Sequence, residues 1–268
     1  MTPLPVVVIP VFNAPAQLER CLAAVRKSVD AATDVIVIDD ASSDPAVAEL
    51  LESRCDGWTV IRQPENRGFV ATANRGMREA GRRDVVLLNA DTVPVGDWLQ
   101  RIGRCAESDS TIASITPFTN NGEIASLPAF CQASAVPEDP EAWARACRQA
   151  AGPCYPEIPT AVGFCMYMRR ACIDRIGAFD EAAFGRGYGE ENDWCMRAAA
   201  DGWRHVLCDD AFVAHQGGAS FGPLGLGPGD DAMRALLERH PGYLELVQDF
   251  IRRDPLAPVR RRVLEHLQ

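Results

Sequence analysis

The chain has 268 residues, of which 47% are hydrophobic and 24% charged, a composition typical of ordinary folded domains. Its net charge of −10 argues against a general nucleic-acid-binding protein, because such a protein needs a basic face to displace counterions from phosphates. The longest apolar runs are too short to cross a bilayer, and the N-terminus lacks the features of a secretory signal. The ten cysteines show no CxxC pair and no zinc-site spacing, so we expect a reduced, cytoplasmic protein.

The first half of the chain alternates strand and helix patterns. Apolar runs rich in Val and Ile are typical of strands buried on both faces of a parallel sheet. Five such runs occur, at residues 6–12, 34–39, 58–62, 84–89 and 111–116. Helical patterns at 16–29 and 69–80 separate some of them, and the apolar face of the first consists of Leu18, Cys21, Leu22 and Val25. This order predicts a parallel sheet with right-handed crossovers.

The second half follows a different pattern. Residues 117–160 contain several prolines and one helical pattern near 137–150, which predicts a covering insertion within one domain. Further along we expect a buried strand at 161–170, a helix at 191–200 and two short strands within 203–215. The composition of the glycine-rich stretch 216–229 suits a mobile flap, and the remaining residues are predicted to be helical.

Polar residues follow the predicted strands at the edge where open α/β sheets bind ligands. Pro10, Val11 and Asn13 end the first strand without a glycine-rich phosphate loop, which argues against a dinucleotide fold or a P-loop NTPase. Asp39 and Asp40 end the second strand, where a carboxylate can contact a ribose hydroxyl or a base N–H. The alternative is helix capping, which we favour for the following Ser43 and Asp44.

The next two strand ends offer candidates for phosphate and metal binding. Arg67 and Gly68 either approach a phosphate or form an ordinary loop. After the fourth strand come Asn89, Ala90 and Asp91. One carboxylate can hold Mg²⁺ when phosphate oxygens and water complete the shell, so Asp91 is either a metal ligand or a turn residue.

The densest acidic cluster contains Glu190, Glu191 and Asp193 at a predicted helix start. These acids could simply complement the helix dipole. Clustered carboxyls also raise one another's pKa, which favours a general base near neutral pH, and we favour this functional interpretation. His215 ends the last predicted strand, where it is either structural or a ligand of metal or phosphate.

Taken together, five segments resemble the inverting glycosyltransferases of family 2, over roughly residues 4–222. They are VVIPVFN, VIDDASSD, ENRGFVATANRG, LLNADTVP and GYGEENDWCMRAAADGWRHVLCDDAFVAH. The form GYGEENDWC is similar to the bacterial branch that builds surface polysaccharides. The resemblance implies a GT-A fold: an α/β domain with one Rossmann-like, mostly parallel sheet flanked by helices and a C-terminal acceptor-side subregion. The single domain, 1–268, would divide into a nucleotide-sugar-binding half (about 1–116), an acceptor and catalytic half (about 117–229) and C-terminal helices (about 230–268).

The resemblance also implies roles for individual residues. Asp91 matches the last acid of the metal-binding DxD element, whose first acid is replaced by Asn89, and His215 matches a histidine near metal and diphosphate. Glu191 matches the catalytic base, with Glu190 and Asp193 as alternatives. The nucleotide-sugar-binding set is Pro10, Val11, Asn13, Asp39, Asp40, Arg67, Gly68, Asn89 and Ala90, and the expected cofactor is Mg²⁺ or Mn²⁺.

The expected reaction moves a sugar from a nucleotide-sugar donor to a hydroxyl of a saccharide or lipid-linked saccharide. UDP or dTDP is the expected carrier because an Asp at the base suits a pyrimidine N–H, and GDP stays open. The arginines at 252–253 and 260–262 suggest either weak peripheral contact with an anionic membrane or, as we favour, a solvated helix face. The alternative functions are a sugar-nucleotide pyrophosphorylase and a degenerate carbohydrate-binding domain.

Overall fold

The computed structural model describes residues 4–150, 152–185, 187–217 and 230–267. Within these ranges the strands form one eight-stranded sheet in the order β3-β2-β1-β4-β7-β6-β8-β5. The strands are β1 (Val6–Val11), β2 (Val35–Asp39), β3 (Thr59–Arg62), β4 (Val85–Leu88), β5 (Thr92–Pro94), β6 (Ile112–Phe118), β7 (Cys165–Met168) and β8 (Arg204–His215).

Helices cover both faces of this sheet. They are α1 (Pro15–Ser28), α2 (Pro45–Arg54), α3 (Phe69–Glu79), α4 (Trp98–Ser108), α5 (Pro140–Gln149), α6 (Arg170–Ile176), α7 (Glu181–Phe184), α8 (Glu190–Ala200), α9 (Asp230–Arg239), α10 (Tyr243–Arg253) and α11 (Ala257–Glu265), together with a 3₁₀ turn at Glu123–Ala125. Among the described residues no helix is long and apolar enough to cross a membrane.

The first four strands form the parallel half that the sequence predicts. Strand β1 pairs in parallel with β2 and β4, and β2 pairs in parallel with β3. Successive side chains of a strand point to opposite faces. Val7 and Ile9 therefore pack with α1, α2 and α4 on one face, while Val6 and Val8 pack with α3 and α8 on the other. All four are fully buried, which explains the uninterrupted apolar run in the sequence.

Helices α1 and α2 agree with the sequence interpretation. The buried face of α1 consists of the four predicted residues, Leu18, Cys21, Leu22 and Val25. Helix α2 begins after Asp44, whose side chain accepts a hydrogen bond from the backbone N–H of Ala46 at 3.0 Å. The capping role predicted for Asp44 is therefore confirmed.

The second half of the sheet is mixed. Strand β7 runs antiparallel to both β4 and β6, β6 pairs in parallel with β8, and β5 pairs antiparallel with β8. The predicted strand at 161–170 is shorter than expected, since only Cys165–Met168 pairs in the sheet. A third apolar cluster packs α5, α10 and α11 against the ends of β6 and β8.

The prediction of two short strands within 203–215 is wrong. These residues form the single strand β8, with an irregularity in its pairing to β6 beside Asp209 and Asp210. Asp209 accepts hydrogen bonds from the backbone N–H groups of Cys154 and Tyr155, and Asp210 pairs with Arg101 at 2.6 Å. Because both buried carboxylates have partners, the strand continues through them.

Candidate functional site

A cleft of about 370 Å³ lies beyond the carboxyl ends of β1, β2 and β4. It brings together most of the candidates from the sequence: Pro10, Val11, Asp40, Gly68, Asn89, Ala90, Asp91, Glu191 and His215. Four candidates are not part of its lining: Asn13, Asp39, Arg67 and Asp193. The site therefore assembles where the strand-end rule places it.

Asp40 lines one end of this cleft and is only 3% exposed. Its carboxylate accepts hydrogen bonds from Gln63 Nε2 at 2.7 Å and from the backbone N–H groups of Arg67 and Gly68, each at 2.8 Å. The Thr72 hydroxyl is a fourth partner. Gly68 has φ 84°, so this glycine allows the chain to turn into α3. Burial raises the pKa of Asp40 although the hydrogen bonds oppose it.

Three predicted binding residues lie next to the cleft without lining it. Asn13 Oδ1 accepts the backbone N–H groups of Ser43 and Asp44 at 2.9 and 3.1 Å. Asp39 accepts the N–H of Ser42 at 2.9 Å. The Arg67 side chain is exposed, and its backbone contributes to the site through Asp40. These groups fix the loops after β1, β2 and β3.

Asp91 and His215 face each other across the antiparallel pair of β5 and β8. His215 Nε2 lies 3.4 Å from an Asp91 carboxylate oxygen. His215 Nδ1 lies 2.6 Å from the carbonyl oxygen of Asn121, so Nδ1 carries the proton in neutral imidazole. This bond leaves the Nε2 lone pair on the Asp91 side, which is the arrangement that metal-binding histidines use.

Opposing effects act on the pKa of His215, and together they raise it. Burial is the largest influence and lowers the pKa, while the hydrogen bond and charge of Asp91 and the Asn121 carbonyl raise it. The imidazole also stacks on Phe164, with ring centroids 5.2 Å apart. The side chain is thus held in one orientation by groups from three different segments.

The loop after β6 holds the end of β8 in place. The side chain of Asn120 accepts the backbone N–H of His215 at 2.8 Å and donates to its carbonyl oxygen at 2.9 Å. Asn121 donates to the carbonyl oxygen of Gln216 at 3.1 Å, while the Gln216 N–H donates to the Asp91 carbonyl oxygen. Of the predicted flap at 216–229, residues 218–229 lie outside the described residues.

Glu190 and Glu191 start helix α8 on the opposite wall. Gly189 precedes them with φ 95°, a conformation that glycine adopts without strain. Glu190 is 5% exposed, and the two carboxyl groups hydrogen-bond to each other. Within the described parts of the chain, neither Oε2 atom has a hydrogen-bond partner, although both are buried.

Burial is the main cause of raised pKa values in this pair. The pKa of Glu190 lies well above its usual value, through burial and then the charge of Glu191. Burial also raises the pKa of Glu191, with a smaller effect from Glu123, while the hydrogen bond from Glu190 lowers it. A carboxylate in such surroundings takes up a proton readily, as a general base must.

Asp193 is placed away from the cleft, although it was a candidate base. Its side chain is fully buried and accepts Arg197 Nε at 2.8 Å and His240 Nε2 at 3.0 Å. Arg239 lies 3.4 Å away and pairs with Asp180. This ionic cluster joins α8 to the end of α9.

The sequence interpretation missed the wall contributed by the loop after β6 and by the approach to β7. Asn121 and Glu123 line the cleft there, together with Phe164, while Tyr188 lines it from the segment before α8. The polar run Thr119–Glu123 directly follows a strand, so the strand-end rule would have identified it. Phe164 had no such signal, since it reads as part of an apolar run.

Comparisons with known proteins agree with this geometry. The family profile "Glycosyl transferase family 2" matches residues 6–177. Glucomannan 4-beta-mannosyltransferase 7 of Arabidopsis thaliana is 27% identical over 238 residues, 82% of this chain and 40% of that protein. Glycosyltransferase AglE of Haloferax volcanii is 27% identical over 99 residues, 35% of this chain and 33% of that protein. The matches thus span less than half the length of these relatives.

Three solved structures share the fold at low sequence identity. GalNAc-T7 with UDP, GalNAc and Mn²⁺ has a TM-score of 0.67 at 15% identity, covering 99% of this chain and 55% of that one. The mannosyltransferase PcManGT from Pyrobaculum calidifontis, with GDP-Man and Mn²⁺, has a TM-score of 0.58 at 17% identity, covering 99% and 74%. S. aureus TarS with UDP-GlcNAc has a TM-score of 0.60 at 14% identity, covering 92% and 71%.

The predicted α/β fold, with its mostly parallel sheet flanked by helices, is therefore confirmed as a GT-A fold. The family profile covers more than half of the chain, from β1 to the end of α6. The Asp, His and Glu side chains meet in one cleft at the edge where this fold binds ligands. The chain belongs to glycosyl transferase family 2.

Proposed function

We propose that the chain transfers a sugar from a nucleotide-sugar donor to an acceptor hydroxyl, with inversion at the anomeric carbon. One observation carries this proposal: a single cleft joins Asp40, the Asp91–His215 pair and the Glu190–Glu191 pair. These groups suit the nucleotide, the diphosphate and the reacting hydroxyl respectively. Family membership and the nucleotide-sugar complexes of the structural neighbours support the same assignment.

In the proposed mechanism, Glu191 is the general base. It lines the cleft, whereas Asp193 is enclosed by its ionic cluster, so the placement favours Glu191. Its carboxylate takes the proton of the acceptor hydroxyl while the acceptor oxygen forms a bond to the anomeric carbon. The bond from that carbon to the diphosphate breaks, and its electron pair leaves with the diphosphate. A single displacement of this kind inverts the anomeric centre.

The residues Asp91 and His215 fit a divalent cation. They offer one carboxylate and one imidazole nitrogen, a donor set that Mn²⁺ accepts and that Mg²⁺ tolerates less readily. No group of three His, Cys, Asp or Glu side chains with metal-site geometry occurs among the described residues, so diphosphate oxygens would supply further ligands. When bound, the cation neutralises charge on the leaving diphosphate.

The donor is proposed to carry UDP or dTDP, and the acceptor to be a saccharide or lipid-linked saccharide of a bacterial surface polysaccharide. A cytoplasmic location, with at most weak membrane contact, goes with this proposal. Arg252 and Arg253 pair with Asp249, and Arg260 pairs with Asp254. These ion pairs favour a solvated helix face over a strong lipid-binding surface.

Release of nucleoside diphosphate tests the proposal. The full chain is incubated with UDP-, dTDP- and GDP-sugars, each with Mn²⁺, Mg²⁺ or EDTA, and with a panel of saccharide acceptors. We expect release from UDP- or dTDP-sugars that depends on metal and is nearly abolished in Asp91→Asn. NMR of the product should show the inverted anomer.

Two outcomes would contradict this function. Formation of nucleotide sugar from a nucleoside triphosphate and a sugar 1-phosphate would identify a pyrophosphorylase. Binding of donor in a thermal-shift assay with no turnover under any condition would indicate a carbohydrate-binding domain. Metal-dependent release retained in Asp91→Asn would instead move the metal site elsewhere.

A further inference from the structure

The acid pair at the start of α8 contains one more acid than a single general base requires. Glu190 is as deeply buried as the apolar core around it, yet it lines the cleft beside Glu191. Two buried carboxylates in hydrogen-bond contact cannot both be charged at low cost. One proton must therefore stay within the pair, and the question is which residue holds it.

We propose that Glu190 holds this proton throughout turnover and donates it in a hydrogen bond to the carboxylate of Glu191, which makes Glu190 a positioning residue for the base. This inference rests on the proposed function in so far as Glu191 is the base. It assigns a role to an acid that the reaction itself does not use.

Residue exposure and the hydrogen bond both favour the proton on Glu190. Glu190 is 5% exposed as a residue, whereas Glu191 is partly exposed although its Oε2 atom is buried, so charge costs less on Glu191. The hydrogen bond between them correspondingly raises the pKa of Glu190 and lowers that of Glu191. Other titratable groups facing the pair are Glu123, Tyr188, Tyr243 and Cys195. Glu123 adds negative charge and none of these described groups is cationic, so they disfavour a second charge in the pair.

This arrangement explains how Glu191 can be ionised before the reaction and still accept a proton during it. Without a donor, burial would favour the protonated form of Glu191, which cannot accept a proton from the acceptor. With the donor, Glu191 is ionised and still gains a proton readily during the reaction. After that step both acids are protonated, and loss of one proton to solvent restores the starting state.

The pH dependence of kcat/KM for nucleoside diphosphate release tests the proposal in wild type, Glu190→Gln and Glu190→Ala. Wild type should show a bell-shaped profile, whose acid limb reports Glu191 and whose alkaline limb reports Glu190. Glu190→Ala should lower kcat by about 10–100-fold, the effect of losing a hydrogen bond to a charged group, and should shift the acid limb upward. Glu190→Gln, which keeps a donor, should recover most of this loss and lose the alkaline limb.

Two results would overturn the proposal: a loss in Glu190→Gln as large as in Glu191→Gln, or an alkaline limb that Glu190→Gln leaves unchanged. A structural role alone would lower activity without moving either limb. The comparison of wild type with the glutamine variant thus separates a proton donor from a packing residue.

A second measurement is independent of activity, so it decides the matter even if the wild type turns over no donor. The folded-state pKa of Glu190 is raised, so its contribution to stability is fully present below its ordinary value of 4.5 and is lost as pH rises through the folded-state pKa. The free energy of unfolding of the wild type should therefore fall relative to that of Glu190→Gln from about pH 4.5 upward, where the carboxyl ionises in the unfolded chain but stays protonated in the fold. The fall should continue until the folded-state pKa is reached. Free energies that stay parallel across this range would show that Glu190 ionises in the fold as it does in the unfolded chain and would refute the proposal.

Discussion

The two acidic ends of the cleft look alike in sequence but are built differently. Asp40 and Glu190 are both buried next to a helix that begins after a glycine with positive φ. Asp40 is surrounded by four hydrogen-bond donors, whereas the Oε2 atoms of Glu190 and Glu191 have none within the described residues. A buried carboxylate destabilises the fold unless donors compensate it. We therefore expect Asp40 to stabilise the fold as well as line the proposed nucleotide site, and the glutamate pair to serve the reaction at a cost in stability.

Glu191→Gln should have the largest effect on activity. It should distinguish most clearly between the glutamate end of the cleft, which serves the reaction, and the Asp40 end. Loss of a general base lowers kcat by about 10²–10⁴-fold. Donor binding should stay close to wild type, and the melting temperature should be unchanged or higher, because the variant removes a poorly compensated buried charge. Kinetics, calorimetric donor titration and thermal unfolding measure the three quantities.

Glu123→Gln is the matched control, since it replaces an exposed acid of the same cleft. Its effect on kcat should be much smaller than that of Glu191→Gln. Equal losses in both variants would show that overall negative charge, rather than one base, drives the reaction.

Asp193→Asn tests a buried carboxylate whose charge is compensated by neighbouring basic side chains. The amide would leave Arg197 and Arg239 without their shared carboxylate, and breaking a buried ion pair on one side costs about 3–5 kcal/mol. Chemical denaturation should show this loss in the free energy of unfolding. A variant with wild-type stability but a kcat as low as that of Glu191→Gln would make Asp193 the base.

Asp40→Asn should cost less, because only one oxygen becomes a donor. Its amide would face a backbone N–H of Arg67 or Gly68, and an unsatisfied buried donor costs about 1–3 kcal/mol of stability. Asp44→Asn is the control, since asparagine caps helices as well as aspartate does. If both variants were equally stable, Asp40 would not hold the start of α3, and a direct contact with the nucleotide base would gain support.

His215→Ala should have the smallest effect and should act only through the metal. Affinity for nucleoside diphosphate in Mn²⁺ should fall by about tenfold, the low end for loss of a metal-site side chain. In EDTA the variant and wild type should bind alike in calorimetric titrations. An equal loss in both conditions would indicate a phosphate contact, and no loss would indicate a structural histidine.

The sequence predicted one half of the molecule better than the other for a physical reason. In the parallel half, buried strands read as apolar runs, and the residues just after them lie at the cleft, as Asp40 and Asp91 do. Beyond residue 116 the segments are positioned by distant partners. Asn120 holds His215 across 95 positions, and Asp209 is satisfied by backbone groups 54 and 55 positions away. Local sequence patterns do not reveal partners that lie so far away in the chain.

The same limit applies to Asp193 and the glutamate pair. All three lie within four positions of one helix start, so a motif cannot say which of them faces the cleft. That depended on Arg197 and His240, which enclose Asp193. The helix dipole was consistent with any of these acids, and the resemblance matched Glu191 to the base while leaving Glu190 and Asp193 as alternatives.

The antiparallel strand β7 has a consequence for how the chain folds. It fills the position beside β4, where Val85 pairs with Met168, 83 residues further along the chain. Contacts between such distant residues form slowly, because a long loop must close first. Strands β1, β2 and β3 can pair over separations of only 28 and 23 residues. Strand β4, which reaches β1 across 79 residues, and the wall carrying Phe164 and α8 must await long closures of this kind. We therefore expect nucleotide and metal to recognise only the final state, and to slow unfolding more than they speed refolding.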